Sequence, residues 1–383
     1  MSAVFDILVV ADPRFSGGST SALVADVTAM AELGASVGLV FVRSGYLDDA
    51  RDAENPKALA LADLDGVTRI SPGTEARAGL AFLHHPLVFF RGIEERLTLS
   101  AERSVIVTHH APFRSDGSLE WDPVVTRRRA RLATGLSAWF APISGVVRAQ
   151  LASFAPLIRQ SSGDWPNVFD PGDLAPTRPA LLGPPLTIGR HGRPDPLKFP
   201  ATGPEIDASL PAENGTRVRV LGCPTEALIA RGAHTDRWEV LPFGAEPVAQ
   251  FLNSLDVFTY HYHPNWLEAF GRTVAEAMLC ERPCLLDPRL KATFGDMASY
   301  CQPHEVADAL RRMAAAPDAA LARAAAARDT ALRRYGAAGM AQRLEALRRD
   351  RGDAGRAGAS TPAMRVARKA VGLYRRRAQG DSG

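Results

Sequence analysis

The feature that most constrains this chain is an alternation of apolar strand, loop and helix that is written twice along its length. "VFDILVVAD", from Val4, is a nearly unbroken apolar run of the kind a strand covered on both faces requires. A loop, "PRFSGGSTS", follows it. "ALVADVTAMAEL" then puts Leu23, Val27, Met30 and Leu33 on one helical stripe, and Gly34 ends it. "SVGLVFVR" is the next strand, giving a β-α-β unit with a parallel, right-handed crossover. "SVIVTHH" and "AWFAPIS" continue the series, with Ser144 placed to N-cap a helix through Leu151. The second series runs through "PLTIGR", "RVRVLG", "RWEVLPF", "DVFTYHY" and "RPCLLD", with helical stretches such as "EPVAQFLNSL" and "EVADALRRMAAA" between them.

From about Ser153 to Ala180 the texture changes, and Pro156, Pro166, Pro171, Pro176 and Pro179 prevent a continuous regular element. At 383 residues the chain exceeds one typical core. The expectation is an α/β protein of two Rossmann-like, doubly wound domains facing across a cleft, at 1–165 and 184–345, joined by a linker at 166–183. Residues 346–383 read as a basic, flexible tail in which "AMRVARKAVGLYRRR" suits a short helix.

Composition narrows the function. A formal charge of +3 is too small to argue for nucleic acid. Cys223, Cys280, Cys284 and Cys301 form no CxxC pair or disulfide framework, which favours a reducing compartment. No basic, apolar leader precedes Val4, so the expected location is the cytoplasm. The uncharged run Leu132 to Val147 is broken by Gly135, Pro142 and Gly145 and reads as core. Charge gathers instead at Arg127–Arg131 and Arg365–Arg377, where contact with an anionic membrane stands beside the plainer reading of a solvated face.

Ligands of doubly wound sheets bind beyond the carboxyl ends of strands. After the first strand, Gly17 and Gly18 permit positive φ and close approach to a helix N-terminus that attracts anions, although a glycine pair also simply makes turns. G-x-G-x-x-G is absent, which weakens a dinucleotide reading. In "IGRHGRPDPLKFP", Arg190, Arg193 and Lys198 follow a strand end closely, a set of cations suited to a diphosphate, beside the plainer reading of a solvated basic loop. In "NWLEAFGRTVAEAM", Glu268 falls in a loop and Glu276 in the first turns of the next helix, with Phe270, Gly271 and Arg272 at the junction. Thr273-Val-Ala-Glu276 also matches a capping box, which would give Glu276 a structural task. Histidines pair at His84–His85 and His109–His110, and His109 or His110 could bond a substrate hydroxyl, serve as acid–base or simply fill a packing role at a strand end. No H-E-x-x-H or G-x-S-x-G occurs, and no metal site is expected.

Together these segments resemble the GT-B glycosyltransferases, in particular the retaining, nucleotide-sugar-dependent enzymes, over about residues 4 to 345. "DPRFSGGSTSALVADVTAMAELG" looks like their first strand and Gly-rich loop. "IGRHGRPDPLKFP" looks like their Arg/Lys segment, and "EAFGRTVAEAMLCERPCLL" like their E-x7-E motif, the most specific of the three. The resemblance implies that Glu268 contacts the donor sugar and assists catalysis, and that Glu276 binds the nucleotide ribose. It implies that the Phe270–Gly271–Arg272 backbone meets sugar and phosphates, and that Arg190 or Arg193, with Lys198, neutralises the departing diphosphate. His109 is the weaker counterpart of a donor-sugar histidine. "CERP" places Glu281 where many members have Gly, a departure expected to affect packing.

The expected function is transfer of a sugar from a UDP- or GDP-sugar to a glycan or lipid-linked acceptor, with retention and without a metal or other cofactor. A nucleotide-sugar epimerase of the same fold and a non-catalytic nucleotide-sugar-binding protein are the rival readings.

Overall fold

The computed structural model describes residues 2–47, 52–172, 174–180, 183–212, 215–354, 367, 370–372 and 374–375. The chain separates into two compact units, Met1–Val168 with Met340–Gly383, and Phe169–Gly339. The first unit carries β1 Ala3–Ala11, β2 Val37–Phe41, β3 Val67–Ile70, β4 Ala76–His84, β5 Leu99–Thr108 and β6 Trp139–Pro142. They lie in the order β3-β2-β1-β4-β5-β6, all parallel. The second carries β7 Leu186–His191, β8 Thr216–Leu221, β9 Glu239–Leu241, β10 Val257–Tyr260, β11 Cys284–Leu286 and β12 Ser299–Tyr300. Its order is β12-β11-β10-β7-β8-β9, again all parallel.

Counted from its own first strand, each sheet follows the order 3-2-1-4-5-6 of a doubly wound fold. The winding reverses between β1 and β4 in one sheet and between β7 and β10 in the other. Those reversal points are where such sheets leave room for a ligand.

The strands form where burial on both faces rewards an apolar run. Ile7 to Val10 of β1 are all 0% exposed. Pattern reading passes over β4, a central strand, because it opens Ala-Arg-Ala-Gly, residues with little β preference. Its second half, Leu80 to Leu83, is nevertheless fully buried. Pattern reading also passes over β3, whose Thr68 and Arg69 are exposed, and β12, which has two residues.

The helix Gly18–Glu32 buries Leu23, Val27 and Met30 as its stripe requires. Leu33 departs from that stripe and is 42% exposed, because the helix stops at Glu32 and the chain turns through Gly34 at φ 80. Ser144 Oγ accepts from Val147 N at 3.2 Å and caps the helix Gly145–Ala152.

The last helix, Ala337–Arg349, leads the chain back to the first unit. The stretch 346–354, expected as the start of a flexible tail, is bound there. Arg103 Nε donates to Asp350 O at 3.1 Å, Ser162 N donates to Asp350 Oδ2 at 2.7 Å, and Gln160 bridges Ala354. The expected linker packs on the second unit, where Arg178 meets Asp256 at 2.9 Å and Thr177 N donates to Asn253 Oδ1 at 2.8 Å.

Two loops at strand ends are held by the same tripeptide. Asp12-Pro13-Arg14 follows β1, and Asp287-Pro288-Arg289 follows β11. In each, the arginine N and Nε donate to aspartate Oδ1, at 3.0 and 3.0 Å for Arg14 and at 3.0 and 2.9 Å for Arg289. In each, Nη2 donates to Oδ2 at 2.6 Å. The guanidinium then reaches carbonyls beyond the neighbouring strand: Ser44 and Leu47 after β2, Tyr262 and His263 after β10. This planar, bidentate fork is what arginine offers and lysine does not.

Among the described residues no helix is long and apolar enough to cross a membrane.

Candidate functional site

In the second unit, the acids and cations singled out from sequence meet at the β7/β10 reversal. Arg190 lies near the end of β7, is 3% exposed, and is sandwiched between the rings of Phe199 at 4.2 Å and Tyr260 at 4.3 Å. Its Nη1 donates to His261 O at 2.8 Å. Two ring faces around a desolvated guanidinium are worth about 2 kcal/mol or more each. Burial lowers its pKa, while Tyr260 and Glu268 act in the opposite sense.

Lys198 ends the short turn Pro196–Lys198, which Asp195 caps by accepting from Leu197 N at 2.9 Å. That turn is tied to the Glu268 loop through His263 N and Leu197 O, 3.0 Å apart. Lys198 Nζ stands 5.9 Å from the centre of the Trp266 ring. Burial pulls its pKa down and Glu268 pushes it up. Arg193 is exposed and lies outside the aromatic sandwich that holds Arg190.

Glu268 occupies the loop after β10, where Oε2 accepts from Tyr260 Oη at 2.7 Å and from Trp266 Nε1 at 3.2 Å. Neither donor is evident in the sequence as part of a site; the signal was only their aromatic character beside an acid. The helix Arg272–Leu279 begins at Gly271, which has φ 87 and no capping side chain. The first N–H groups of that helix are therefore not taken by a side-chain cap, a condition that favours an anion. Phe270 is buried behind the junction, its ring 5.5 Å from Tyr335.

The capping box read at Thr273 and Glu276 does not form. The helix starts two residues too early for Thr273 to be its cap, and Thr273 Oγ1 is buried with no hydrogen-bond partner. Glu276 turns instead toward His191, with Oε2 and Nε2 3.3 Å apart, and toward Arg272, at 3.9 Å. Burial raises the Glu276 pKa to about 7, against the pull of Arg272 and Lys198. Burial, with Arg190 and Lys198 nearby, drops His191 to about 3, so it is neutral. Glu281, beyond the helix C-terminus, has φ 58, the left-handed backbone that glycine adopts at no cost.

In the first unit, a second group gathers around the β1/β4 reversal. Gly17 has φ 69 and precedes the helix Gly18–Glu32 without a capping side chain; Gly17 and Gly18 are both exposed. Phe15 of the same loop packs on His85, ring centres 4.7 Å apart. His109 is 8% exposed and its Nε2 lies 3.3 Å from His84 Nδ1. His110, by contrast, is half-exposed and lies 3.3 Å from Glu120. His84 and its neighbour Asp26 were not singled out from sequence. Pairing of histidines at two strand ends was the available signal for His84, and Asp26 gave none.

The Arg127–Arg131 cluster lies on the helix Pro123–Thr134, where Arg128, Arg129 and Arg131 are exposed beside Leu132 at 67%. The Arg365–Arg377 cluster lies mostly outside the described residues.

No family profile matches the chain, and no curated protein matches it. Solved structures do match its fold. Anabaena HepE in complex with UDP and glucose aligns over 89% of this chain and 98% of its own, with TM-score 0.58 and 15% identity. A glycosyltransferase from Rickettsia africae aligns over 91% and 98%, with TM-score 0.61 and 12% identity. AviGT4, a glycosyltransferase involved in avilamycin A biosynthesis, aligns over 90% and 97%, with TM-score 0.53 and 16% identity. At these identities the likeness speaks for architecture: two six-stranded parallel sheets of doubly wound order, in a chain with the GT-B glycosyltransferase fold.

Proposed function

We propose that this protein transfers a sugar from a UDP- or GDP-sugar to a glycan or lipid-linked acceptor, with retention of configuration and no metal or other cofactor. The observation that carries the reading is the group Glu268, Glu276, Arg190 and Lys198 at the β7/β10 reversal. Two acids, the buried Arg190 and the half-buried Lys198 share one strand-end site beside an uncapped helix N-terminus. Support also comes from the fold, which is shared with HepE bound to UDP-glucose.

In this reading the second unit, Phe169–Gly339, is the donor-binding domain and the first unit the acceptor side. Breaking the bond between sugar and diphosphate puts negative charge on the leaving group and positive charge on the sugar. Fixed cations beside the developing oxyanion are a strong means of lowering such a barrier, and enzymes commonly remove about 8 kcal/mol or more. Arg190 and Lys198, with the Phe270–Gly271–Arg272 backbone, meet the diphosphate, and Arg193 screens it from the rim. Glu268, oriented by Tyr260 and Trp266, contacts the sugar and assists its transfer. Glu276 receives the ribose hydroxyls. Gly17, Gly18 and His109 form the ligand-facing group at the first unit's own β1/β4 reversal. Retention then proceeds by front-face attack of the acceptor hydroxyl. The exposed arginines of 127–131 hold the enzyme against the anionic inner face of a membrane, where lipid-linked acceptors reside.

The experiment is a thermal-shift screen of UDP- and GDP-sugars, followed by product analysis with and without an acceptor. One class of donor should raise the melting temperature, with turnover rising when acceptor is present. Turnover to an epimeric nucleotide sugar without acceptor would favour the epimerase. Absence of any shift would remove the donor site, and failure to sediment with anionic vesicles at low salt would remove the membrane contact.

A further inference from the structure

A chain of three buried polar groups runs through the carboxyl edge of the first sheet. Asp26, on the helix Gly18–Glu32, is 1% exposed. Its Oδ2 accepts from Trp165 Nε1 at 2.9 Å and lies 3.5 Å from His84 Nε2. His84 ends β4 and is 3% exposed; its Nδ1 lies 3.3 Å from His109 Nε2. The sheet register explains the meeting. His84 pairs with Val107, so His109, two residues on, returns to the same face.

The ring of His109 is held from two sides. His84 stacks with it at 5.4 Å and 28°, and His85 at 5.8 Å and 15°. His85 is itself fixed, because its Nδ1 accepts from Leu87 N at 3.3 Å and its ring packs on Phe15. Titratable neighbours of the pair include Asp26 from the helix and His85 from the end of β4, with His110 from the end of β5 packed on His85.

Burial holds the His84 pKa at about 3, so the ring is neutral and carries one N–H. A carboxylate beside Nε2 favours that hydrogen on Nε2, since the other tautomer would turn a lone pair toward a negative oxygen. Nδ1 is then an acceptor, and its short contact with His109 requires the hydrogen of His109 to sit on Nε2.

We propose that Asp26 and His84 are positioning residues that fix His109 as its Nε2–H tautomer, which makes its Nδ1 a hydrogen-bond acceptor and not a donor. Under the glycosyltransferase reading, on which this use of His109 rests, the ligand group is a sugar hydroxyl donating its hydrogen. The logic is that of an orienting carboxylate behind a catalytic imidazole, with a second imidazole as spacer.

The test is long-range proton–nitrogen correlation on the full-length protein carrying 15N-histidine, which reads tautomers without any substrate. In the wild type, His84 and His109 should each show a pyrrole-like Nε2 and a pyridine-like Nδ1. In His84→Phe the two His109 nitrogens should lose that separation and move toward averaged values. Asp26→Asn should mix the tautomers of His84. A wild-type spectrum with hydrogen on Nδ1 of either ring overturns the proposal, as does a His109 signature unchanged in a folded His84→Phe. If His84→Phe does not fold, the wild-type spectrum and Asp26→Asn still decide. Failure of the donor screen would leave this result standing, so the two readings fail separately.

Discussion

The Tyr260 hydroxyl donates to Glu268 Oε2 at 2.7 Å, from the last residue of a strand to an acid in the loop that follows it. Trp266 Nε1 donates to the same oxygen at 3.2 Å. One carboxylate oxygen thus takes both fixed donors, and in the proposed transfer the other meets the sugar. Tyr260→Phe removes a hydrogen bond to a charged group, worth about 1.5–3 kcal/mol. Transfer should fall roughly ten- to a hundredfold with UDP affinity unchanged. Glu268→Ala should lose transfer almost wholly while nucleotide binding survives; wild-type turnover in that variant would sink the catalytic role.

Lys198 and Arg193 are expected to differ. Lys198 is partly buried beside Trp266, and Arg193 is exposed. By calorimetry Lys198→Ala should weaken UDP binding about ten- to a hundredfold, the worth of a charge-assisted contact. Arg193→Ala should change it by a factor of about five or less, as rim charges do. Equal effects would reject the division of labour.

Glu276 gives a pH signature. Its pKa rises from 4.5 to about 7 on folding, chiefly by burial. Below pH 4.5 both states are protonated and nothing is lost. Between 4.5 and about 7 the unfolded chain ionises first, so the wild type loses stability as pH rises, by up to about 3 kcal/mol. Glu276→Gln lacks this loss, and its stability relative to wild type should climb across that window and then level. His191, held at about 3, opposes this trend in both proteins and cancels in the difference. Parallel denaturant curves at pH 5 and 7.5 check it; a flat difference would mean Glu276 is ionised in the native state.

Glu281→Gly should stabilise the protein by about 0.5–1 kcal/mol, because glycine relieves left-handed strain at some cost in chain entropy. Its φ of 58 identifies the position, and transfer should be unaffected. Thermal unfolding reads the gain.

Arg14→Ala should be far more damaging than Arg289→Ala. The Asp12–Arg14 side chains are 0% and 2% exposed, whereas Arg289 is 41% exposed. Leaving the buried Asp12 with backbone donors but no cation costs about 3–5 kcal/mol, while Arg289→Ala should cost about 1 kcal/mol and mainly loosen the Tyr262–His263 backbone ahead of Glu268. Chemical denaturation compares the two.

How much of this was legible depended on where the information sits. β1, β2 and β5 announce themselves because burial on both faces demands unbroken apolar runs. β4 does not, since its alanines and glycine are chosen by the sheet around them and not by their own preference. Glu268 was legible as a loop acid and Glu276 as a helix acid. The failed capping box was not, because Thr273 and Glu276 have the right spacing and only the start of the helix at Gly271 removes the cap. His109 was visible at a strand end. Its link to Asp26 was hidden, because helix packing and sheet register join residues far apart in the chain.

The two Asp-Pro-Arg turns sit in non-equivalent places, one after the first strand of its sheet and reaching the second, the other after the fifth and reaching the fourth. Internal symmetry therefore does not account for the repetition. What recurs is a self-contained joint: three consecutive residues that shape themselves and then grip one adjacent loop. Such a joint is portable. It can be written behind an apolar strand of another parallel sheet to fasten a neighbouring loop, without redesigning the core beneath it.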